Sequence, residues 1–390
     1  MLDSSLSWIL FPLGTALGWY LATRAPGSHK TRESSSPLAG ISTLANDDPD
    51  QAIAALLGVD ELTEEAVELH LTLGSLFRRR GQVDRALRVH EALLSRDNLT
   101  SQQRNRTEFE LAEDYAKAGV MDRAELIYTS LADRGYKLLA CLEAVVRIFE
   151  NSHDWPRAIE FSRRLEAASG VSRTAITSQY ECEMAEEAQR KKQDVIASEL
   201  VGRALATDKH NARANLLKAR IAHAAGKWSA ATTAYAKTAE EEPRLLPEIV
   251  QPLWECCRDW GRPEYFVNWL DDLPDDSRVG AADVVRAELL RASDMSASTY
   301  LLDTFSERPN WSVLEQIASI DASEGNDTFA RASAAVRDAV VTLSRSRVRY
   351  QCQSCGMTPA QLFWHCPSCK QWGTVFPVDD RLEVKRQPLP

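Results

Sequence analysis

Four cysteines close to the C-terminus carry the clearest chemical signal in this chain. Cys352 and Cys355 form one C-x-x-C pair, and Cys366 and Cys369 form a second pair after ten intervening residues. This spacing lets two thiolates bind one ion, and two such pairs complete a tetrahedral site with four sulfur ligands. A segment this small lacks the apolar bulk to fold alone, so the ion would supply much of its stability. The sequence therefore predicts a metal site at these four residues.

The residues around the two pairs fit the same interpretation. Gly356 follows the first pair and Pro367 lies within the second, as in turns whose backbone N–H groups point toward thiolate sulfurs. This pattern is typical of rubredoxins and zinc ribbons. Apolar side chains surround the cysteine pairs, and we expect them either to form a small core or to pack on the last helices and dock on the solenoid. They are Phe363, Trp364, Trp372, Val375 and Phe376.

The ligands alone do not distinguish zinc from iron, because both accept tetrahedral thiolate coordination. Zinc would act as a structural clamp, whereas iron would allow one-electron transfer. The sequence contains no motif for a flavin or haem partner, which favours the structural role. We therefore expect one bound ion, and zinc rather than iron.

The composition excludes some functions. The formal net charge of −10 over 390 residues argues against a general nucleic-acid binder, which needs a basic face. Paired thiolates suggest a reducing compartment, and we expect the remaining cysteines to be small buried hydrophobic residues. These are Cys141, Cys182, Cys256 and Cys257.

A helical repeat occupies most of the chain. Small residues recur at intervals of 34 to 39 residues, which is typical of tetratricopeptide (TPR) repeats. The clearest unit combines Gly74, Phe77 and Gly81 with Ala86, where the second helix of the pair crosses closely. The recurring positions are Ala52, Ala86, Ala124, Ala158, Ala197 and Ala231.

The repeats predict an all-α TPR superhelical solenoid over 37–345, with a degenerate consensus after about residue 245. A rubredoxin-like or zinc-ribbon module follows at 346–380, and a tail at 381–390. Arrays of this kind present an extended surface that binds a peptide or a partner protein. The sequence contains no catalytic motif, and its histidines do not cluster at ligand spacing, so we do not expect an enzyme.

An apolar segment lies near the N-terminus. Residues 6–22 contain no charge and would span about 25 Å as a helix, within the membrane-spanning range. Trp8 and Trp19 stand near its two ends, where interfacial aromatic residues are common. A cleaved signal peptide fits poorly because no cationic residue precedes the segment. A buried core helix is the other alternative, but we expect residues 1–23 to be a retained transmembrane anchor.

The residues after this segment indicate orientation and attachment. Arg24, Lys30 and Arg32 outnumber acidic residues there, which places the bulk of the chain in the cytoplasm by the positive-inside rule. Residues 24–36 are polar, and this composition predicts a flexible linker. Gly14 and Gly18 form G-x-x-x-G, which suits helix pairing and a homodimer but is also common in unpaired membrane helices.

The order of anchor, TPR units and metal module resembles the lipopolysaccharide assembly protein B family of Gram-negative bacteria. The resemblance covers nearly the whole chain and is strongest at 66–94 and 350–375. The metal ligands of the family fall on the four cysteines named above, and Gly18-Trp19-Tyr20 matches the end of its anchor. The linker and residues 262–345 diverge more from the family.

The resemblance implies a non-enzymatic adaptor in the inner membrane. Members of the family act with the membrane protease FtsH to control turnover of LpxC, the deacetylase that commits precursors to lipid A. A further inner-membrane regulator with a periplasmic domain adjusts this activity. Two alternatives remain open: a rubredoxin-type electron-transfer protein and a generic scaffold for envelope assembly.

Overall fold

The computed structural model describes residues 49–50, 53–54, 63–274, 280–292, 297–319 and 327–382. The predicted anchor, the linker, Gly14, Gly18 and Ala52 lie outside these ranges. Within them, no helix combines the length and the apolar character that crossing a membrane requires. The predicted anchor therefore stays a prediction.

The described chain is mostly helical and ends in a two-stranded sheet. The helices are α1 (Glu64–Arg79), α2 (Val83–Leu94), α3 (Ser101–Ala118), α4 (Met121–Asp133), α5 (Leu138–Ser152), α6 (Trp155–Ser169), α7 (Thr174–Arg190), α8 (Asp194–Thr207), α9 (Ala212–Ala224), α10 (Trp228–Glu241), α11 (Leu246–Asp259), α12 (Pro263–Asp271), α13 (Gly280–Ala292), α14 (Ala297–Glu307), α15 (Trp311–Ser319) and α16 (Asp327–Arg345). A 3₁₀ turn, Pro243–Leu245, precedes α11, and the strands are β1 (Tyr350–Cys352) and β2 (Val375–Pro377).

Local sequence signals set the helix ends. Thr100 and Gln103 form a reciprocal capping box at the start of α3. Gly119 ends the same helix at φ 81°, a left-handed conformation that glycine adopts without a steric cost from Cβ. The chain can then reverse and begin α4 two residues later. Such short turns produce the succession of helix pairs that the repeat spacing predicted.

The small residues of the repeat lie where the helices of a pair meet. Five recurring alanines are fully buried, because only a small side chain allows two helices to approach this closely. They are Ala86, Ala124, Ala158, Ala197 and Ala231. The described part of the chain thus confirms the helix pairing that these positions predicted.

Two compact units divide the chain, with the boundary between Ala144 and Val145. In the first unit, α1 and α2 pack through an apolar cluster that includes Leu73, Phe77 and Val89. In the second unit, one large core extends from α9 to α13. The four non-motif cysteines are buried, as predicted.

A buried charged cluster joins α1, α2 and α3 in the first unit. His90 and Asp114 are both fully buried, and His90 Nδ1 lies 2.5 Å from Asp114 Oδ2. Arg78 donates to the other oxygen of Asp114 at 2.7 Å and also pairs with Glu110. Among the described residues His90 Nε2 has no hydrogen-bond partner, because the ring edge faces Gly74. This cluster holds three successive helices in one arrangement.

Candidate metal centre

The two strands bring the cysteine pairs together. β1 and β2 run antiparallel, with Tyr350 opposite Pro377 and Cys352 opposite Val375. A second, isolated bridge joins His365 to Trp372 beside the other pair. Each cysteine pair therefore begins next to a short ladder, which fixes its turn relative to the other pair.

All four predicted ligands converge. The Sγ atoms of Cys352, Cys355, Cys366 and Cys369 lie within 4.8 Å of one another. Cys352 Sγ is 3.7 Å from Cys369 Sγ, and Cys355 Sγ is 3.7 Å from Cys366 Sγ. Thiolates at about 2.3 Å from a tetrahedral ion would stand about 3.8 Å apart. The residues present therefore fit a four-coordinate metal ion.

The two C-x-x-C turns have matching backbone geometry. Gly356 N–H donates to Cys352 O at 2.9 Å, and Lys370 N–H donates to Cys366 O at 2.9 Å. Both of these residues have positive φ, 75° for Gly356 and 59° for Lys370. Lys370 therefore occupies the backbone position in the second turn that Gly356 occupies in the first.

The surroundings of the sulfurs differ between the buried and exposed sides. Cys352 and Cys366 are buried, whereas Cys355 is exposed and Cys369 half-buried. The hydroxyl of Thr374 lies 3.3 Å from Cys352 Sγ and lowers the pKa of that thiol. Burial raises the pKa of Cys366. Four thiolates this close repel one another unless a cation neutralises them, so the donor set favours a bound divalent ion.

His365 lies beside the site without serving as a ligand. Its Nε2 lies 3.0 Å from Lys370 O, and its ring stacks on Trp372 with centroids 4.3 Å apart. The sequence excluded it because four sulfurs already complete the site. The structure gives it a packing role between the ligand loop and Trp372.

Trp372 attaches the metal module to the helices of the second unit. Its Nε1–H donates to Glu150 Oε1 at 3.0 Å, and the Tyr180 hydroxyl donates to the same oxygen at 2.6 Å. The edge of its ring meets Trp155 and Tyr180, whose rings stack on each other 5.7 Å apart. Aromatic edge-to-face contacts add to the hydrogen bond. This confirms the expectation that module side chains dock on the helical repeats, although Trp372 contacts α5, α6 and α7 rather than the last helices.

A buried arginine supports a second contact. The Arg213 guanidinium lies 5.5 Å from the centre of the Trp364 ring and is 1% exposed. Glu183 and Glu186 of α7 pair with it at 2.8 and 3.0 Å. A buried cation of this kind is stable only when paired, and the two carboxylates hold it against the aromatic ring.

A third contact lies at α11 and the turn before it. The Tyr350 hydroxyl donates to Glu248 at 2.6 Å, and burial together with this bond raises the pKa of Tyr350 to about 12. Arg244 stacks 3.6 Å from the centre of the Phe376 ring and donates to Gln353 at 2.6 Å. Phe376 itself belongs to the core of the helical unit. The module thus shares a core with the helices.

The chain after β2 continues to contact the helices. Trp311 N–H donates to Asp380 O at 2.9 Å, and Leu382 N–H donates to Pro309 O at 2.8 Å. Ser312 also donates to the Asp380 carboxylate at 2.7 Å. The segment predicted as a tail from residue 381 is therefore paired with the α14–α15 connection as far as Leu382.

The sequence did not identify the helix residues that receive the module. Glu150, Tyr180, Arg213 and Glu248 lie on four different helices and share no motif. Their types suit ordinary helix surfaces, so only the three-dimensional packing shows their role. A signal did exist on the module side. Trp364, Trp372 and Phe376 carry more apolar surface than the core of so small a module can bury.

Known proteins resemble this chain over the module and over nearly its full length. The model of the rubredoxin metal binding domain matches residues 350–377. Lipopolysaccharide assembly protein B of Escherichia coli K12 is 30% identical over 380 residues, covering 96% of this chain and 98% of the relative. The protein of the same name from Haemophilus influenzae is 26% identical over 391 residues, with the same coverage.

Solved structures with low identity also resemble the chain. A tetratricopeptide repeat protein from Parabacteroides merdae is 12% identical with a TM-score of 0.29, covering 70% of this chain and 98% of that chain. The C-terminal part of a TPR repeat-containing protein from Cytophaga hutchinsonii is 17% identical with a TM-score of 0.33, covering 68% and 99%. Both TM-scores are low, so the description of the repeats depends on the helix pairs themselves.

Proposed function

The chain belongs to the lipopolysaccharide assembly protein B family, and on that premise we propose that it is a non-enzymatic adaptor that limits lipopolysaccharide synthesis. In this role it works with the membrane protease FtsH to control degradation of LpxC, the deacetylase of the lipid A pathway. The names of the relatives support a part in lipopolysaccharide assembly. The protease, the deacetylase and an inner-membrane regulator with a periplasmic domain are the partners we propose.

One observation supports the adaptor role most directly: the metal module packs on the helix pairs. Trp372, Trp364 and Tyr350 contact α5, α9 and α11 respectively, so a single small module spans several repeats. A repeat array is held only by contacts between neighbours, and a module that spans several pairs stiffens the surface offered to a partner. We propose that the metal ion acts as a structural clamp on this surface.

We propose zinc as the ion. The cysteine side chains would hold it in a closed tetrahedral site, and it would supply folding free energy rather than reaction chemistry. Metal analysis of the purified chain tests this, since an iron site with four thiolates is coloured when oxidised and a zinc site is colourless. A red protein that is reduced and reoxidised reversibly would favour the electron-transfer alternative.

We also propose that residues 1–23 anchor the chain in the inner membrane, with its bulk in the cytoplasm. Gly14 and Gly18 would allow two anchors to pair. This position would place the repeats beside a membrane protease. Fractionation of cells that express a chain lacking residues 1–23 tests the anchor, because the shortened chain should appear in the soluble fraction and lose control of the deacetylase.

Crosslinking in native membranes tests the partners. The full-length chain, captured after crosslinking, should bring down FtsH and the deacetylase in amounts well above those captured with the anchor-deleted chain. If the full-length chain captured no more FtsH and no more deacetylase than the anchor-deleted chain, the proposed adaptor role would be refuted.

A further inference from the structure

Helices α8, α9 and α10 border an apolar groove that shares no residue with the contacts of the metal module. Its volume is about 440 Å³, within the range of about 300–1,000 Å³ of sites that bind ligands. Val195, Leu205 and Ile221 line its walls, and the Val195 side chain is 73% exposed. With the half-buried Leu205 and Ile221, Val195 forms one continuous apolar surface beside the recess, which a partner can cover.

The floor of the groove allows another backbone to approach closely. Gly202 stands in the interior of α8, where a Cβ atom would meet nothing within 4 Å. Glycine at such a position costs about 1 kcal/mol of helix stability relative to alanine. Ser198 lies four residues earlier and lines the same groove, so two small residues share one face of the helix. This face suits the packing of a second helix.

One part of the groove is positively charged, although the whole chain is acidic. Lys218 and Lys227 both line the groove and are exposed, and Asp194 of α8 also lines it, so cationic side chains outnumber carboxylates along its wall. Within the described ranges neither lysine forms an ion pair. Lys227 is also the N-cap residue of α10 and accepts no capping bond, and a cation is unfavourable at this end of a helix. A carboxylate placed here would interact favourably with both lysines and with the helix dipole.

We infer that this groove binds an amphipathic helix of a partner protein. Apolar side chains of that helix would lie against Val195, Leu205 and Ile221, and its backbone would cross near Gly202. Carboxylates flanking the apolar face would pair with Lys218 and Lys227. Recognition of a helix by an apolar groove uses such anchors at helical spacing. The inference stands independently of the pathway proposed above.

Peptide binding to the full-length chain in detergent tests the inference. The probe is a labelled helical peptide of about 15 residues, with leucines on one face and glutamates flanking them. A second peptide carries lysines in place of the glutamates. Because the chain has a net charge of −10, non-specific attraction would favour the lysine peptide. Fluorescence anisotropy should instead show the glutamate peptide binding more tightly.

Two sets of variants locate the binding. The double substitution Lys218→Glu and Lys227→Glu should weaken binding of the glutamate peptide about tenfold and strengthen binding of the lysine peptide. Lys117→Glu, a matched exposed change on α3, should have no such effect. Gly202→Leu should fill the groove and abolish binding, whereas Glu160→Leu, an exposed change on α6, should not. Circular dichroism checks that each variant folds.

Several results would overturn the inference. One is equal binding of the two peptides, or binding of the glutamate peptide that survives Gly202→Leu. Another is a dimer in sedimentation experiments that Gly202→Leu converts to a monomer, since a second copy would then occupy the groove. Competition by uncharged detergent, with no dependence on the lysines, would assign the groove to a lipid chain.

Discussion

Trp372 is the single residue that most directly joins the metal site to the helices. It stacks on His365 of the ligand loop and donates to Glu150 of α5. Displacement of the ligand loop would therefore move a side chain that contacts three helices, α5, α6 and α7. The charge on Glu150 strengthens the hydrogen bond relative to one between neutral groups.

Replacing Trp372 with phenylalanine tests this attachment. The ring remains, but the N–H donor is lost, so the local opening free energy of the module should fall by about 1–2 kcal/mol. Native-state hydrogen exchange of β1 and β2 measures that change. Trp260→Phe, away from the module, should leave exchange unaltered. Unchanged protection in Trp372→Phe would contradict the role of this bond.

Tyr350 gives the attachment a dependence on pH. Burial and the bond to Glu248 raise its pKa to about 12, above the value near 10 of an exposed tyrosine. A raised folded-state pKa contributes stability that is complete below the unfolded pKa and disappears as pH rises through the folded one. The stability difference between the natural chain and Tyr350→Phe should therefore shrink from about pH 10 to pH 12.

Urea unfolding at several alkaline pH values measures this difference. Burial also raises the pKa of Cys182 and Cys257 to about 12. These thiols therefore lower the free energy of unfolding of the whole protein at high pH, so the natural chain must be compared with the variant. That background is common to both proteins. A difference that stays constant with pH would show that the pKa of Tyr350 is the same in the folded and unfolded states, so that burial and Glu248 do not shift it.

At the scale of elements, two interior glycines of helices have opposite surroundings. A Cβ atom on Gly74 would lie 2.3 Å from His90 Nε2, whereas one on Gly202 would meet nothing within 4 Å. The first glycine is required because α1 and α2 cross over the buried His90. The second glycine, Gly202, leaves the groove surface of α8 accessible to another chain.

Alanine at each position should therefore have opposite effects. Gly74→Ala should lower the free energy of unfolding by about 1–3 kcal/mol, because His90 and its partner Asp114 must shift. Gly202→Ala should leave it unchanged or raise it by up to about 1 kcal/mol. Thermal unfolding of the two variants side by side provides the measurement, and equal effects would refute the close crossing.

Much of this could be predicted from the sequence, for identifiable reasons. The alanines at helix crossings recur every 34 to 39 residues, so the helix pairs were predictable from local spacing alone. The metal ligands were predictable in the same way, because Cys352 and its three partners have the spacing that lets four thiolates bind one ion. Glu150 and Arg213 were not predictable, because the contacts from them to the module link residues separated by more than 100 positions. No local pattern encodes such a contact.

At the scale of the whole molecule, the metal module and the second helical unit fold as one body. Phe376 lies in the core of the helices, and the segment after β2 pairs with the α14–α15 connection. Loss of the ion should therefore affect more than the ligand loop. The helices hold their own apolar cores and should persist.

Cys366→Ser and treatment with a chelator should both release the module. The far-ultraviolet circular dichroism should stay helical, while tryptophan fluorescence should shift as Trp364 and Trp372 become exposed. Ser368→Ala, in the same turn but not a ligand, should retain the ion and the spectrum. Full metal content in Cys366→Ser would contradict the assigned ligand set.

The most direct test of the central claim is the half-life of the lipid A deacetylase in cells whose own copy is replaced by each variant. We expect Cys366→Ser to prolong the half-life of the deacetylase as much as deletion of the gene does. Ser368→Ala should keep the natural half-life. A natural half-life in Cys366→Ser cells, with the metal shown to be absent from the purified variant, would contradict the claim that the metal module supports control of lipopolysaccharide synthesis.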